Sequence, residues 1–465
     1  MAPVPEGLTE ASWRTAGVAL LMAIWWITEA IPIYATALIP ILMFPLLGVS
    51  GVKEATAPYG NPLIYMFLGG FTIAIAMERW GLHRRIALGI VDRAGVKPRS
   101  IILGFMIACA FLSLWVSNTA TTIMMLPIGL SILKLVEGEE ESVRRNFELV
   151  LVLSIAYACN IGGIGTLIGT PPNALLAAFA LENYGIQISF LRWMSLGIPI
   201  VIVGIYVTYL ILTRLLYPIQ LKELPGGHQV IHDQLKKLGR ITREEKRVGI
   251  VFVSAALLWI CRPLVAVILP GISDTGVAIA AAISFFLIPT GREEGGTILR
   301  WEDANRLPWG ILLLFGGGMS LATMINQTGL ATWVGSGISQ INTLPIAVIV
   351  ILAIGMMVFL TEITSNMAST ATFLPILASI ALGLGQNPLL LAIPTTLAAS
   401  CAFMLPVATP PNAIIYGSGK ITISQMSRAG LVLNIFFIIF LSIVALTFMA
   451  WLFGIEKGIV PEWAR

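Results

Sequence analysis

Apolar runs long enough to span a membrane recur from residue 12 to the end of the 465-residue chain, and no soluble domain interrupts them. A membrane-spanning helix needs roughly 20 mostly apolar residues, and it satisfies its backbone hydrogen bonds internally. Hydrophobic residues make up 57% of the sequence and charged residues only 11%, against about 25% charged residues in soluble domains. The pattern therefore predicts an all-α polytopic membrane protein.

Two short polar stretches interrupt this apolar sequence in the same way. Residues 117–122 read Ser-Asn-Thr-Ala-Thr-Thr and residues 365–370 read Ser-Asn-Met-Ala-Ser-Thr. Each leads to a proline, and the two copies lie 248 residues apart. Hydroxyl and amide groups are costly in hydrocarbon unless they are paired or bind something. One copy could be no more than a helix N-cap, but two copies at one spacing favour a functional site.

The charges around these stretches predict that each lies at the tip of a re-entrant hairpin. Basic segments flank the first hairpin, 100–134, on both sides, which places both of its ends on the cytoplasmic side. From residue 331 to 387 the only charged residue is Glu362, so the second hairpin, 345–383, is predicted to open to the outside. Non-helical backbone at this depth is tolerated only against protein or a water-filled cavity.

The second half of the chain repeats the first in a further motif. Thr-Pro-Pro-Asn occurs at 170–173 and again at 409–412, and its prolines break a helix. We predict a first inverted repeat at 1–221, a basic cytoplasmic linker at 222–247 and a second inverted repeat at 248–465, with about ten spans in all and both termini outside. Inverted repeats are typical of secondary transporters, whose site lies between the repeats near the bilayer midplane.

The first repeat divides into long apolar segments on either side of its hairpin. Spans are predicted at about 13–30, 33–50, 61–82, 147–180 and 190–217. A basic amphipathic stretch, 83–99, precedes the hairpin and is predicted to lie on the cytoplasmic surface.

Other function classes are disfavoured. The four cysteines lie in apolar segments without paired spacing, which argues against disulfides, zinc sites and redox motifs. The net charge of +4 fits basic cytoplasmic loops, and no aromatic-interleaved basic patch indicates a nucleic-acid partner. No convergent nucleophile and base or metal-ligand spacing occurs in the apolar segments, so no enzyme is predicted. A channel would not need two re-entrant sites of opposite sense.

The paired Ser-Asn-Thr and Thr-Pro-Pro-Asn motifs resemble those of the divalent anion:sodium symporter family, which contains dicarboxylate, citrate and sulfate carriers. The similarity covers nearly the whole chain and includes residues 27–32, 69–70 and 80–85. It implies sodium-coupled symport of a C4 dicarboxylate, such as succinate, malate or fumarate, by alternating access. The protein would be a homodimer among the lipids of a bacterial-type inner membrane. The alternatives are a sulfate or tricarboxylate symporter and a sodium-independent dicarboxylate exchanger.

The resemblance also implies two sodium sites, one at each hairpin. The first would use Ser113, Ser117, Asn118 and the carbonyl of Gly169, and the second Thr361, Ser365, Asn366 and the carbonyl of Ala408. Sodium is a hard cation that prefers oxygen ligands. Ser113 and Thr361 are also 248 residues apart, so each tip has an oxygen-bearing side chain four residues before it.

The anion is expected between the two tips. Helix N-termini there offer backbone amides and a positive dipole end, and the two tip asparagines can donate to separate carboxylates. The expected substrate-binding residues are Asn118, Thr119, Thr170, Pro171, Asn366, Met367, Thr409 and Pro410. Because these motifs contain no Lys or Arg, sodium ions are expected to supply much of the positive charge. Met367 stands where the first tip has Thr119, and this position is expected to affect substrate preference.

Two charged residues near span ends allow two interpretations. Glu29 and Arg262 each follow a tryptophan by three residues. They could act as a proton-relay carboxylate and a substrate arginine. The sequence favours the other interpretation, in which they form a structural ion pair or interfacial anchors.

Overall fold

The computed structural model describes residues 3–464 apart from 96, 137, 139, 222, 225, 293–294 and 340–343. Within these residues the chain is almost entirely helical, and its β structure is one isolated bridge between Pro289 and Thr297. Seven of the described helices are long and apolar enough to cross a membrane, or up to eight if a pair bent by 84° is one span. The all-α polytopic prediction is confirmed, whereas the exact number of spans stays a prediction.

The first half of the chain contains eleven α-helices within its described residues. They are α1 Glu10–Thr28, α2 Ile33–Thr36, α3 Ile39–Leu46, α4 Val52–Thr56, α5 Pro62–Arg79, α6 Leu82–Arg93, α7 Pro98–Ser113, α8 Asn118–Leu133, α9 Glu141–Gly163, α10 Pro171–Tyr184 and α11 Phe190–Leu210. The π-helical turn Ile211–Leu216 extends α11. Short 3-10 turns occur at Ala57–Gly60 and Lys134–Val136.

Two predicted spans of this half are interrupted in the structure. The span at 33–50 is divided between α2 and α3, because Pro40 in the first turn of α3 favours a helix start there. The span at 147–180 is divided into α9 and α10, and the chain between Gly163 and Pro171 is not helical. The Thr-Pro-Pro-Asn motif marks where the second helix begins, while the break itself starts several residues earlier.

The second half contains twelve α-helices within its described residues. They are α12 Gly227–Lys237, α13 Arg243–Ile260, α14 Arg262–Ile268, α15 Asp274–Leu287, α16 Trp309–Gln327, α17 Leu330–Ser339, α18 Ile346–Thr361, α19 Asn366–Gly383, α20 Leu389–Ala399, α21 Pro410–Gly417, α22 Ile423–Val444 and α23 Ala450–Leu452. A π-helical turn, Ala445–Met449, joins the last two. The 3-10 turns are Trp301–Arg306, Pro406–Ala408 and Glu462–Ala464.

The predicted basic linker, 222–247, packs against α6 and is not an open loop. It contains α12 and the first turn of α13, while residues 222 and 225 lie outside the described residues. The Arg85 guanidinium in α6 bonds to the Glu245 carboxylate at 2.9 Å and to the carbonyl of Gly239 at 3.0 Å. This ion pair ties the linker to the first half of the chain.

Each predicted hairpin is a pair of helices joined by four residues. Residues 114–117 join α7 to α8, and residues 362–365 join α18 to α19. Because α8 begins at Asn118 and α19 at Asn366, the polar stretches form the first turn of the second helix in each pair. The helix bounds agree closely with the predicted hairpins. Their re-entrant course and opposite orientation stay predictions.

After each hairpin the chain has a segment without α-helix that packs closely on the next long helix. These broken segments are 164–170, between α9 and α10, and 400–409, between α20 and α21. A Cβ atom on Gly197 of α11 would lie 2.7 Å from the carbonyl oxygen of Ile164. A Cβ on Gly430 of α22 would clash in the same way with the backbone of Phe403. Glycine at these two positions lets each broken segment approach its helix.

Candidate functional site

A cavity of about 910 Å³ lies where the two hairpin tips and the two broken segments face one another. Every predicted substrate-binding residue lines it, and so do six of the eight predicted cation ligands, Ser117, Asn118, Gly169, Ser365, Asn366 and Ala408. The other two ligands, Ser113 and Thr361, are fully buried. The fold therefore gathers residues from both halves of the chain around one space, and their individual roles stay predictions.

The first tip presents oxygen atoms that have no hydrogen-bond donor. Ser117 accepts the N–H of Ala120 at 3.2 Å and so caps α8. Ser113 Oγ and Asn118 Oδ1 are buried without a hydrogen-bond partner among the described residues, although the weakly polar thiol of Cys159 lies near Ser113. An unpaired buried oxygen is costly, so these atoms suit a bound cation.

Backbone oxygens converge on the same place. A Cβ atom on Gly163 would lie 3.0 Å from Asn118 Oδ1 and 3.2 Å from the carbonyl oxygen of Gly169. A Cβ on Gly169 would in turn lie 2.9 Å from the carbonyl oxygen of Ser113. Neutral oxygens at this density form the ligand set that a hard cation prefers. The residues present therefore fit a sodium ion at the first tip.

The second tip has similar groups, but they are already paired with one another. The hydroxyl of Thr361 lies 2.5 Å from Asn366 Oδ1 and 3.0 Å from the carbonyl oxygen of Ala399. The hydroxyls of Thr364 and Ser369 lie 2.5 Å apart. Ser365 does not cap α19. The oxygen atoms suitable for a cation are again clustered. Here they form hydrogen bonds with one another in the absence of a cation.

The last residue of each Thr-Pro-Pro-Asn motif holds the broken segment in place. Asn173 Nδ2 donates to the carbonyls of Gly163 and Thr166, at 3.1 and 2.8 Å. Asn412 Nδ2 donates to the carbonyls of Ala402 and Leu405, both at 3.1 Å. The two sets are 239 residues apart, as the motifs are. The sequence prediction left these asparagines out, although their place in the doubled motif was a usable signal.

Asn160 connects the two halves at the cavity and was also missed. It lies in α9 and is 2% exposed. Its Nδ2 donates to Thr409 Oγ1 at 3.1 Å and contacts Asn412 Oδ1 at 3.4 Å. A lone amide inside an apolar helix was the only sequence signal for it. Its partners lie about 250 residues away, and sequence spacing gave no means of finding them.

The charged side chains that line the cavity come from outside the two hairpins. They are Glu29, Glu78 and Arg306, and Arg306 pairs with Glu78 at 3.2 Å. Arg262 pairs instead with Asp274 at 2.9 Å and does not line the cavity, which supports the structural interpretation for Arg262. The described residues contain no group of three or more His, Cys, Asp or Glu side chains able to hold a metal ion.

Comparison with known proteins identifies the family. The family model described as the sodium:sulfate symporter transmembrane region matches residues 1–455. This chain belongs to that family. The resemblance seen in the paired motifs is thereby confirmed, and sodium is the coupling cation of the family. As a member, the chain is an integral membrane protein, and its relatives are bacterial, which assigns it to the inner cell membrane.

Two curated relatives of this family member are named as transporters. The sodium-dependent dicarboxylate transporter SdcS of Staphylococcus aureus (strain USA300) is 44% identical over 461 residues, which cover 97% of this chain and 89% of SdcS. The SdcS of Staphylococcus saprophyticus is 43% identical over 462 residues, with the same coverage. These proteins are named as transporters and not as enzymes.

Two solved structures share the fold at low sequence identity. The MtrF structure from Neisseria gonorrhoeae gives a TM-score of 0.59 at 14% identity and covers 98% of both chains. The YdaH transporter of Alcanivorax borkumensis gives a TM-score of 0.57 at 12% identity and covers 95% of this chain and 99% of its own. At this identity the likeness concerns the fold alone.

Proposed function

We propose that this protein is a sodium-coupled symporter of a C4 dicarboxylate such as succinate, malate or fumarate. The observation that carries the proposal is the 44% identity to a sodium-dependent dicarboxylate transporter over 97% of the chain. The doubled tips around one cavity support it, because a dicarboxylate has two anionic ends. The role is transport and not catalysis.

The proposal assigns one sodium ion to each hairpin tip. The ligands are Ser113, Ser117, Asn118 and the Gly169 carbonyl at the first tip, and Thr361, Ser365, Asn366 and the Ala408 carbonyl at the second. The unpartnered oxygens of Ser113 and Asn118 support the first site. The close cluster of Thr361 and Asn366 supports the second. These oxygens replace the water that a hard cation sheds on entering the protein.

The proposed dicarboxylate lies between the tips with one carboxylate at each. The helices α8 and α19 begin at Asn118 and Asn366, both of which line the cavity, and helix N-termini favour anions. The hydroxyls of Thr119, Thr170 and Thr409 add donors. The cavity walls formed by the tips contain no basic side chain. Bound sodium therefore supplies the missing positive charge, and anion binding depends on it.

The proposed mechanism is alternating access between two inverted repeats, working in a homodimer. The recurrence of a hairpin, a broken helix and a glycine-packed helix in both halves supports the repeat. In this mechanism the hairpins move with the bound ions against the remaining spans. Native mass spectrometry of the detergent-solubilised protein measures the oligomeric state.

Sulfate or tricarboxylate symport is the second candidate, because the family description names sulfate. A sodium-independent dicarboxylate exchanger of the same fold is the third. Uptake of radiolabelled succinate into proteoliposomes, with and without a sodium gradient, separates these possibilities. We expect concentrative, sodium-dependent uptake that unlabelled succinate, malate and fumarate inhibit, and that citrate and sulfate do not. Uptake that is unchanged without sodium would overturn the proposal.

A further inference from the structure

The hydroxyl of Thr409, in the second Thr-Pro-Pro-Asn motif, is already occupied as an acceptor. Its oxygen accepts the backbone N–H of Asn412 at 3.3 Å, which caps α21. It also accepts a side-chain N–H of Asn160 at 3.1 Å. A threonine hydroxyl has two acceptor lone pairs and one proton to donate. Both lone pairs are therefore in use, and toward any further group this hydroxyl can act only as a donor.

The surroundings of Asn160 fix the direction of its bond to Thr409. Asn160 Nδ2 also lies 3.4 Å from the carbonyl oxygen of Ala402 and 3.4 Å from Asn412 Oδ1. Asn412 presents its oxygen there because its own Nδ2 donates to the carbonyls of Ala402 and Leu405. Oxygens of this kind only accept, so they favour the N–H end of the Asn160 amide on this side. Asn160 therefore donates to Thr409, and not the reverse.

The proton of the Thr409 hydroxyl remains for a ligand. Thr409 is 4% exposed and lines the cavity, and within the described part of the chain its hydroxyl only accepts. A buried donor without an acceptor is costly. A sodium ion cannot accept a hydrogen bond and would need a free lone pair on this oxygen, whereas a carboxylate accepts. The hydroxyl is therefore suited to the anion and not to the cation.

The equivalent threonine of the first motif is not oriented in this way. Thr170 has nearly the same backbone as Thr409, with φ −145° in both and ψ 142° against 150°. Its side chain nevertheless does not cap α10. By the 239-residue spacing of the motifs, the residue equivalent to Asn160 is Ala399, which has no side-chain donor. The difference between the two threonines thus comes from one amide that crosses between the halves.

We propose that Asn160 is a positioning residue that commits the Thr409 hydroxyl to donate to one carboxylate of the substrate. This inference rests on the proposed dicarboxylate transport. Because the hydroxyl is oriented before the anion arrives, binding needs no reorganisation at this end of the substrate. Thr170 is free to rotate and must be ordered when the anion binds. Since Asn160 belongs to the first half and Thr409 to the second, this contact makes anion affinity depend on both halves.

A double-mutant cycle on succinate uptake into proteoliposomes, at saturating sodium, tests the role of Asn160. Asn160→Leu keeps the volume but removes the N–H donor, and we expect the KM for succinate to rise about fivefold. Thr409→Val should raise the KM about tenfold, and adding Asn160→Leu to it should raise the KM no further. The sodium concentration for half-maximal uptake should change less than about twofold in Asn160→Leu, because Asn412 keeps both carbonyl partners.

Two matched variants separate positioning from a general structural role. Thr409→Ser keeps the hydroxyl, so its KM should stay within about twofold of the wild type and should still rise about fivefold when Asn160→Leu is added. Thr170→Val removes the equivalent hydroxyl, which Asn160 does not contact. Asn160→Leu should therefore raise the KM by the same factor in the Thr170→Val protein as in the wild type.

Several outcomes would overturn the inference. An equal rise in KM from Asn160→Leu with and without the Thr409 hydroxyl would make the amide structural only. A wild-type KM in Thr409→Val would overturn the inference whatever Asn160→Leu does. If Asn160→Leu does not fold, Asn160→Ala takes its place in the same cycle. Wild-type protein without sodium-driven succinate uptake would instead contradict the proposed function, so the two failures are distinguishable.

Discussion

The two hairpin tips are built from nearly the same residues but satisfy their polar atoms differently. At the first tip Ser113 Oγ and Asn118 Oδ1 are buried without a hydrogen-bond partner in the described structure. At the second tip the hydroxyl of Thr361 is 2.5 Å from Asn366 Oδ1. Since an unsatisfied buried polar atom costs about 1–3 kcal/mol, the first tip has more to gain from a ligand. Symmetry of sequence does not make the two sites energetically equivalent.

The turns of the two hairpins also differ. The second turn contains the buried acid Glu362, which accepts hydrogen bonds from the backbone of the broken segment, whereas Leu114 stands at the equivalent position of the first turn. The second tip is thus internally hydrogen-bonded, whereas the first tip has buried oxygens without a partner in the described structure.

The largest effect on uptake is expected from substitution of the two tip asparagines. Asn118→Ala and Asn366→Ala should each reduce sodium-driven succinate uptake on the order of 100-fold, because each removes a cation ligand and a donor to the anion. Asn366→Ala should also lower the melting temperature in detergent, since Thr361 loses one of its two hydrogen-bond partners. Asn146→Ala, at a half-buried asparagine away from the cavity that bonds to the Pro218 carbonyl, is the control. Near-normal uptake in either tip variant would refute the shared role of the asparagines.

A smaller effect on uptake is expected from the two asparagines that hold the broken segments in place. Asn173→Leu and Asn412→Leu each leave two or more buried carbonyls without their donor. We expect the sodium concentration for half-maximal uptake to rise about tenfold in each, because the carbonyl ligands lose their position. The Asn412 variant should be the more affected, as Asn160 also contacts that side chain. Equal sodium dependence in wild type and both variants would contradict this role.

The residue that follows the tip asparagine differs between the two tips, and exchanging it tests whether this difference affects substrate preference. Met367→Thr adds a hydroxyl at the second tip, and Thr119→Met removes one from the first. One hydrogen bond changes affinity about fivefold, so the ratio of inhibition constants for sulfate and succinate should shift by about that factor in opposite directions. Competition against labelled succinate uptake measures the ratio. An unchanged ratio in both variants would remove this position from substrate selection.

The smallest effect on transport is expected at Arg306, a charged residue that lines the cavity and lies outside both hairpins. Arg306 is 49% exposed by its side chain and pairs with Glu78, and such exposed pairs are worth about 0–1 kcal/mol. Arg306→Gln should change the KM for succinate by less than about threefold, and less at high ionic strength. It should not alter the sodium binding of either tip. A tenfold loss of affinity would instead make Arg306 a direct substrate ligand.

Most of the fold and the location of the site were predictable from local sequence. Apolar length, the doubled polar stretches and the prolines act on the residues beside them, so the helices and their breaks follow from neighbours in the chain. The tip residues Asn118 and Asn366 and the breaks at Thr170 and Thr409 all line the cavity. The interruption of the span at 33–50 was not predicted, because the proline within that apolar run was given too little weight.

The contacts that make the two tips different could not be predicted in this way. Glu362 binds backbone amides 41 to 43 residues away and an amide 72 residues away, and Asn160 reaches residues of the other half. The sequence by itself determined that a helical membrane protein would place two similar polar tips in its interior. Only the tertiary structure decided which oxygens are paired, which are free and which backbone amides the buried acid Glu362 binds, because those partners meet only when distant helices pack.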